Sequence, residues 1–275
     1  MNRRLAFGVC IALLALAAAG TAVWRTQRQP ATEPMTAALP VPPFPPRIAS
    51  GDTYEHCLAI LADDPDGARQ TADAWAASGG GDGAAHCQGL SLIATGNPDL
   101  GAERLEQLAA ASLAPDLAKA TIFAQASQAR LMANQPGKAR DDATRALDLA
   151  PGDTELLIQR ALASEAVGRW DEAIADLTRA LASDAHRADA LALRAVAWRR
   201  IERLDLAVAD TDRAIALDPD NAEALLERGI ERQRLGDPAG ARTDWRRARE
   251  VDPNSTTADL AEQNLALLDA GPNQR

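Results

Sequence analysis

Two sets of residues in this 275-residue chain have the types and spacing to do chemistry. The first is a pair of dipeptides, His56-Cys57 and His86-Cys87. Imidazole and thiolate together suggest zinc, and thiols alone suggest a disulfide. Neighbouring residues on a helix point about 100° apart, so each dipeptide would chelate poorly. No Cys-x-x-Cys or His-x-x-x-His accompanies them, so no metal and no cofactor is expected. The second set recurs: Arg160, Arg194 and Arg228 on one side, and Asp142, Asp176 and Asp210 on the other. A planar guanidinium and a carboxylate at constant spacing suit a bidentate pair between packed helices. The expectation is that the three arginines pair with Asp142, Asp176 or Asp210, as a register device and not as a catalytic group. The other catalytic signatures are missing. There is no nucleophile elbow, and Gly79-Gly80-Gly81 lacks the Lys-Ser/Thr ending of a phosphate loop. The many Asp and Glu residues read as solvating charges on helix surfaces. The chain is not expected to be an enzyme, and no small-molecule substrate is expected.

The elements that must position these groups follow from a repeat with a period of about 34 residues. Residues 120–153, 154–187, 188–221 and 222–255 align without a gap. Ala139, Ala173, Ala207 and Ala241 fall in register, as do Ala146, Ala180, Ala214 and Ala248. Asp142, Asp176, Asp210 and Asp244 form another column. Pro151, Pro219 and Pro253 close three of the four units. In residues 154–187 the pattern predicts one helix from about Leu156 to Ala166 and a second from about Trp170 to Leu181. Gly168 stands between them, where positive φ reverses the chain. Upstream, residues 51–119 carry two weaker units. Downstream, residues 256–275 hold one amphipathic capping helix, about Thr257 to Leu268, and a tail.

A fixed period of this length, with small residues on two helical faces and a closing proline, resembles the tetratricopeptide repeat (TPR) family. The Arg-Ala or Arg-Gly steps at 160–161, 194–195 and 228–229 resemble a familiar variant of it. The resemblance implies an all-α, right-handed superhelical solenoid of antiparallel helix pairs, each pair burying its apolar face against the next. It places Trp170, Trp198 and Trp245 as packing residues. It puts Cys57 and Cys87 in neighbouring first helices of the two weak units, where a disulfide is possible in an oxidising compartment. It also implies a concave surface lined by the first helix of each pair. On this chain that surface comprises Ile158, Leu162 and Glu165, then Ala192, Val196, Arg199 and Arg200, then Leu226, Ile230 and Arg234. Lys and Asn, which a carboxylate-capturing subfamily carries there, are absent. Apolar side chains with charged edges suit an amphipathic or extended apolar segment of a partner. The implied function is a protein–protein interaction scaffold or assembly factor. A self-associating spacer without a hetero-partner is the alternative.

Composition and the N-terminus complete the expectation. The net charge is −10, which argues against nucleic acid, where a basic face is needed. Residues 1–28 contain Arg3-Arg4, an uncharged stretch from Leu5 to Trp24, then Arg25 and Arg28. Such a stretch reads as a transmembrane signal anchor or a cleaved signal peptide. It predicts a bacterial inner-membrane tether with the repeats in the periplasm. Residues 29–50 are a proline-rich linker, suited to polyproline II at about 3.1 Å per residue.

Overall fold

The computed structural model describes residues 47–270. The expected membrane or signal helix and most of the proline-rich linker lie outside the described residues. Among the described residues there are thirteen α-helices and no strand, and no helix is long and apolar enough to cross a membrane. In order they are α1 Asp52–Ile60, α2 Pro65–Ala77, α3 Gly81–Ala94, α4 Pro98–Ala111, α5 Asp116–Met132, α6 Pro136–Leu149, α7 Thr154–Ala166, α8 Trp170–Ser183, α9 Ala188–Arg200, α10 Leu204–Leu217, α11 Ala222–Arg234, α12 Pro238–Val251 and α13 Thr256–Ala270. Each helix packs on the next in sequence, and the odd-numbered helices also pack on one another, α5 on α7, α7 on α9, α9 on α11 and α11 on α13.

Local chemistry explains the boundaries. Pro65, Pro98, Pro136 and Pro238 open α2, α4, α6 and α12, where a missing N–H costs nothing. Asp153 and Asn221 cap α7 and α11 by accepting from the backbone N–H of Leu156 and Ala224. The turn inside each pair is the same in the four regular units. Asn134, Gly168, Glu202 and Gly236 take φ of 54°, 73°, 62° and 85°. The next N–H reaches back five residues, Gln135 to Arg130 O, Arg169 to Ser164 O, Arg203 to Trp198 O and Asp237 to Arg232 O, at 2.8–2.9 Å. This is the Schellman closure, which satisfies carbonyls a helix end leaves free. Asn134 and Glu202 adopt it without being glycine, so the tertiary packing overrides their backbone preference.

Helix starts recur one period apart at Thr154, Ala188, Ala222 and Thr256, so α13 is in phase as the first helix of another pair. Within residues 120–255 the exception is α5, which starts at Asp116, ahead of the unit's expected first position at Ala120. Alanines at the two recurring columns are fully buried, which lets backbones approach closely. The core divides into a long cluster from Ile48 to Ala224 and a second around Trp245, with Leu225, Ala241, Ala248, Ala261 and Leu265.

A candidate partner-binding surface on the first helices

The arginine–aspartate pairs close inside one unit. Arg160 donates from Nε and Nη2 to the two oxygens of Asp176, both at 2.7 Å. Arg194 does the same to Asp210 at 2.7 and 2.8 Å, and Arg228 to Asp244 at 3.0 and 2.8 Å. The spacing is always 16 residues, from the first helix of a unit to its second. The free Nη1 then reaches the preceding second helix, Arg194 to Thr178 Oγ1 and Arg228 to Asp212 Oδ1, both at 3.1 Å. Each carboxylate holds its arginine, and the pKa values of Arg160 and Arg228 are raised by that hydrogen bond first.

Two expectations are corrected here. Arg228 pairs with Asp244, not with Asp210. Asp142 pairs with none of the three arginines, because the matching first-helix position of its own unit holds Ala126. Asp142 is buried with its Oδ2 unpartnered, and Arg145 Nη1 approaches its Oδ1 at 3.3 Å. Burial, then the neighbouring Glu106, pushes its carboxyl up to about 7. Glu106 itself is taken by buried Arg130, which also holds Asp99.

The face formed by α7, α9 and α11 is less apolar than the sequence implied. Ile158 and Ala192 are not spare surface residues; both belong to the core, because the adjacent first helices cover them. Leu226 and Ile230 are half-buried against the Trp245 cluster, and Val196 is half-buried. Leu162 alone of the apolar set stands clearly in solvent, 43% exposed. Around it the face is charged. Arg199 bridges from α9 to the buried Glu227 on α11, with Nη2 to Oε2 at 3.1 Å. Arg200 lies over the Trp170 ring, 5.4 Å from its centroid. Arg234 reaches Glu202 at 2.5 Å. Glu165 has a buried Oε1 with no hydrogen-bond partner. Burial first and Glu227 second push its carboxyl up to about 8.

Glu231, which sequence reading passed over, is fully buried behind this face. Burial raises it to about 8. Its Oε2 lies 2.8 Å from Thr211 Oγ1, which lies 3.1 Å from the Val208 carbonyl. A hydroxyl has one proton, so a protonated Glu231 that donates to Thr211, which in turn donates to Val208, satisfies the chain. The alignment of the units contained a signal for Glu231. Alanine occupies that column in the three preceding units, at 129, 163 and 197.

At the other end, Cys57 and Cys87 are joined as a disulfide between α1 and α3, with Cα atoms 6.4 Å apart. Beside it runs a buried relay that the sequence reading missed. Tyr54 donates its hydroxyl to His86 Nδ1 at 2.5 Å, and His86 Nε2 donates to Gln125 Oε1 at 2.7 Å. It ties α1, α3 and α5 together. Burial holds His86 neutral, with its pKa lowered to about 4. Among the described residues no group of three or more His, Cys, Asp or Glu is disposed to hold a metal ion.

Antiparallel helix pairs repeating in phase, turned by a shared left-handed step and packed first helix on first helix, make this fold a tetratricopeptide-repeat solenoid. Solved structures share it. A crystal structure of MamA superposes with a TM-score of 0.52 at 18% identity, covering 60% of this chain and 94% of that one. MamA from residue 41 onward of Desulfovibrio magneticus RS-1 gives 0.53 at 16% identity, covering 76% and 99%. The APC/C hetero-tetramer Cut9-Hcn1 gives 0.58 at 16% identity, covering 78% of this chain and 42% of that one. No family model matches the chain, and no curated protein matches it.

Proposed function

We propose that this protein is an interaction scaffold, held at a bacterial inner membrane by residues 1–28, with its solenoid in the periplasm. The concave face lined by α7, α9 and α11 receives an amphipathic segment of a partner protein. The observation that carries this is Leu162, an exposed leucine on a face that also carries half-buried Val196, charged Arg199 and Arg200, and a Glu165 oxygen with no hydrogen-bond partner among the described residues. A leucine in that setting gives a docking segment one apolar anchor, and the charges give it a register. The similar fold in Cut9-Hcn1 belongs to a hetero-tetramer, which is in keeping with a scaffold. The uncharged stretch Leu5–Trp24 supports the tether, and the disulfide supports an oxidising compartment.

The test is photo-crosslinking in cells from position 162, followed by mass spectrometry of the adducts. A discrete adduct with another protein, lost in Leu226→Asp, is the expected result. Adducts confined to copies of this chain would replace the reading with a self-associating spacer. No adduct from position 162 would remove this face from consideration.

A further inference from the structure

The regular pairing at 16 residues has one inversion. In the second unit the corresponding residues are Gln88 on α3 and Arg104 on α4. The carboxamide stands where arginine stands in Arg160, Arg194 and Arg228, and the guanidinium stands where aspartate stands in Asp176, Asp210 and Asp244. The contact survives with its charge removed from one side. Arg104 donates Nε and Nη2 to a single oxygen, Gln88 Oε1, at 3.0 and 2.9 Å. Gln88 Nε2 donates onward to Asp73 Oδ1 on α2 at 2.8 Å. In the three regular units the guanidinium fork meets a carboxylate with both oxygens. Here it meets a neutral amide, and among the described residues Arg104 has no carboxylate partner.

A second cation lies beside it. Arg69, exposed on α2, makes no hydrogen bond or ion pair among the described residues. Arg69, Asp73, Gln88, Leu92 and Arg104 together line a cleft of about 300 Å³ between α2, α3 and α4. Two guanidiniums against one carboxylate leave the cleft positive, in a chain whose net charge is −10. The Asp73 carboxylate is engaged by Gln88, while half-buried Arg104 keeps Nη1 free at the cleft wall. We infer that this cleft binds a carboxylate side chain of an acidic peptide segment, which supplies in trans the counter-charge that Asp176, Asp210 and Asp244 supply in the regular units. A carboxylate fits because its two oxygens match the guanidinium fork as those of Asp176 match Arg160. Leu92 offers apolar contact for the methylenes of a glutamate. This surface lies on the first two units, away from α7, α9 and α11, and does not depend on the face proposed above.

The test uses the full-length chain and a labelled, end-capped tetraglutamate peptide, with capped tetraglutamine and inorganic phosphate as comparators, followed by fluorescence anisotropy at constant ionic strength. Tetraglutamate should bind, and tetraglutamine should not. Arg69→Gln and Arg104→Gln should each weaken tetraglutamate binding about tenfold, the loss of one charged hydrogen bond. Arg246→Gln, an exposed arginine on α12, should leave it unchanged. Arg69 has no partner to lose, so its variant keeps the fold, which circular dichroism checks. Undiminished binding in Arg69→Gln and Arg104→Gln would overturn the inference, as would an equal loss in Arg246→Gln. Phosphate displacing the peptide at equal concentration would also overturn it, as the mark of a small-anion site without a peptide ligand.

Discussion

Gly229 and Trp245 are the last of four first-helix and second-helix residue pairs 16 apart, after Ser127 and Ala143, Ala161 and Leu177, and Ala195 and Thr211. The smallest residue on a first helix faces the largest on a second. A Cβ placed on Gly229 would overlap the pyrrole edge of the Trp245 indole. The ring cannot swing clear without cost, since it is fully buried and donates Nε1–H to the Leu226 carbonyl at 3.1 Å. In an open helix, Gly→Ala stabilises by roughly 1 kcal/mol. Overpacking a filled core costs about 1–3 kcal/mol. Gly229→Ala should therefore lower stability by about 1 kcal/mol where propensity alone predicts a gain. Trp245→Leu alone leaves a void beside a glycine and should cost about 3 kcal/mol. The double variant reproduces the residue combination at Ala161 and Leu177, so it should be more stable than the sum of the singles by about 1–3 kcal/mol. Urea denaturation followed by circular dichroism reads all four corners. Additivity within about 0.5 kcal/mol, or a Gly229→Ala protein more stable than wild type, would refute the packing argument.

Three further outcomes follow from the charged groups and the disulfide. Asp210→Asn should destabilise by about 3 kcal/mol through the half-buried Arg194 it leaves unneutralised; a cycle with Arg194→Met should recover most of that, while the same cycle against Asp176 shows no coupling. Glu165 and Glu231, raised to about 8, and Asp142, raised to about 7, stabilise the fold fully below the free-chain carboxyl range and lose that contribution as pH rises through 7–8. His86, lowered to about 4, acts oppositely: neutral in the fold, it costs stability as pH falls from about 6.5 toward 4. Thermal midpoints should therefore decline from about pH 6.5 to about 8.5, and Glu231→Gln, which can still donate to Thr211, should flatten that decline; an unchanged slope contradicts the assignment. Reduction of Cys57–Cys87, which closes a 30-residue separation, should cost about 3–4 kcal/mol by chain entropy. In a solenoid that loss should be local, so hydrogen exchange should rise in α1 and α2 and stay unchanged in α9–α12.

The repeat was legible because its determinants are short-range and periodic. Fixed alanine columns, Gly168 at the turn and proline after the second helix state the helix pair within a single period. The existence of arginine–aspartate pairs was legible too, but not their direction. Asp142, Asp176 and Asp210 looked interchangeable until the 16-residue offset selected the same-unit partner and moved Arg228 to Asp244. The candidate face was read less well. Position in the unit placed Ile158 and Ala192 on the concave surface, but both are buried where first helices pack on one another, and that packing is not written in any one unit. The Tyr54–His86–Gln125 relay joins three helices across sequence separations of 32 and 39, with each member occurring once, so no period announces it. The fold explains why a histidine beside a cysteine need not be a ligand.

Closing each arginine–aspartate pair within one unit has a consequence for how such a chain can change length. Arg194 finds Asp210 inside residues 188–221 whatever precedes or follows. Excising or copying that stretch removes or adds a complete pair and orphans neither partner. Bonds that cross unit borders, such as Arg199 to Glu227, are the ones a new junction must re-form. The molecule is thus divisible at its turns: an inheritable module carries its own internal lock, and only the seams are negotiated with the neighbour.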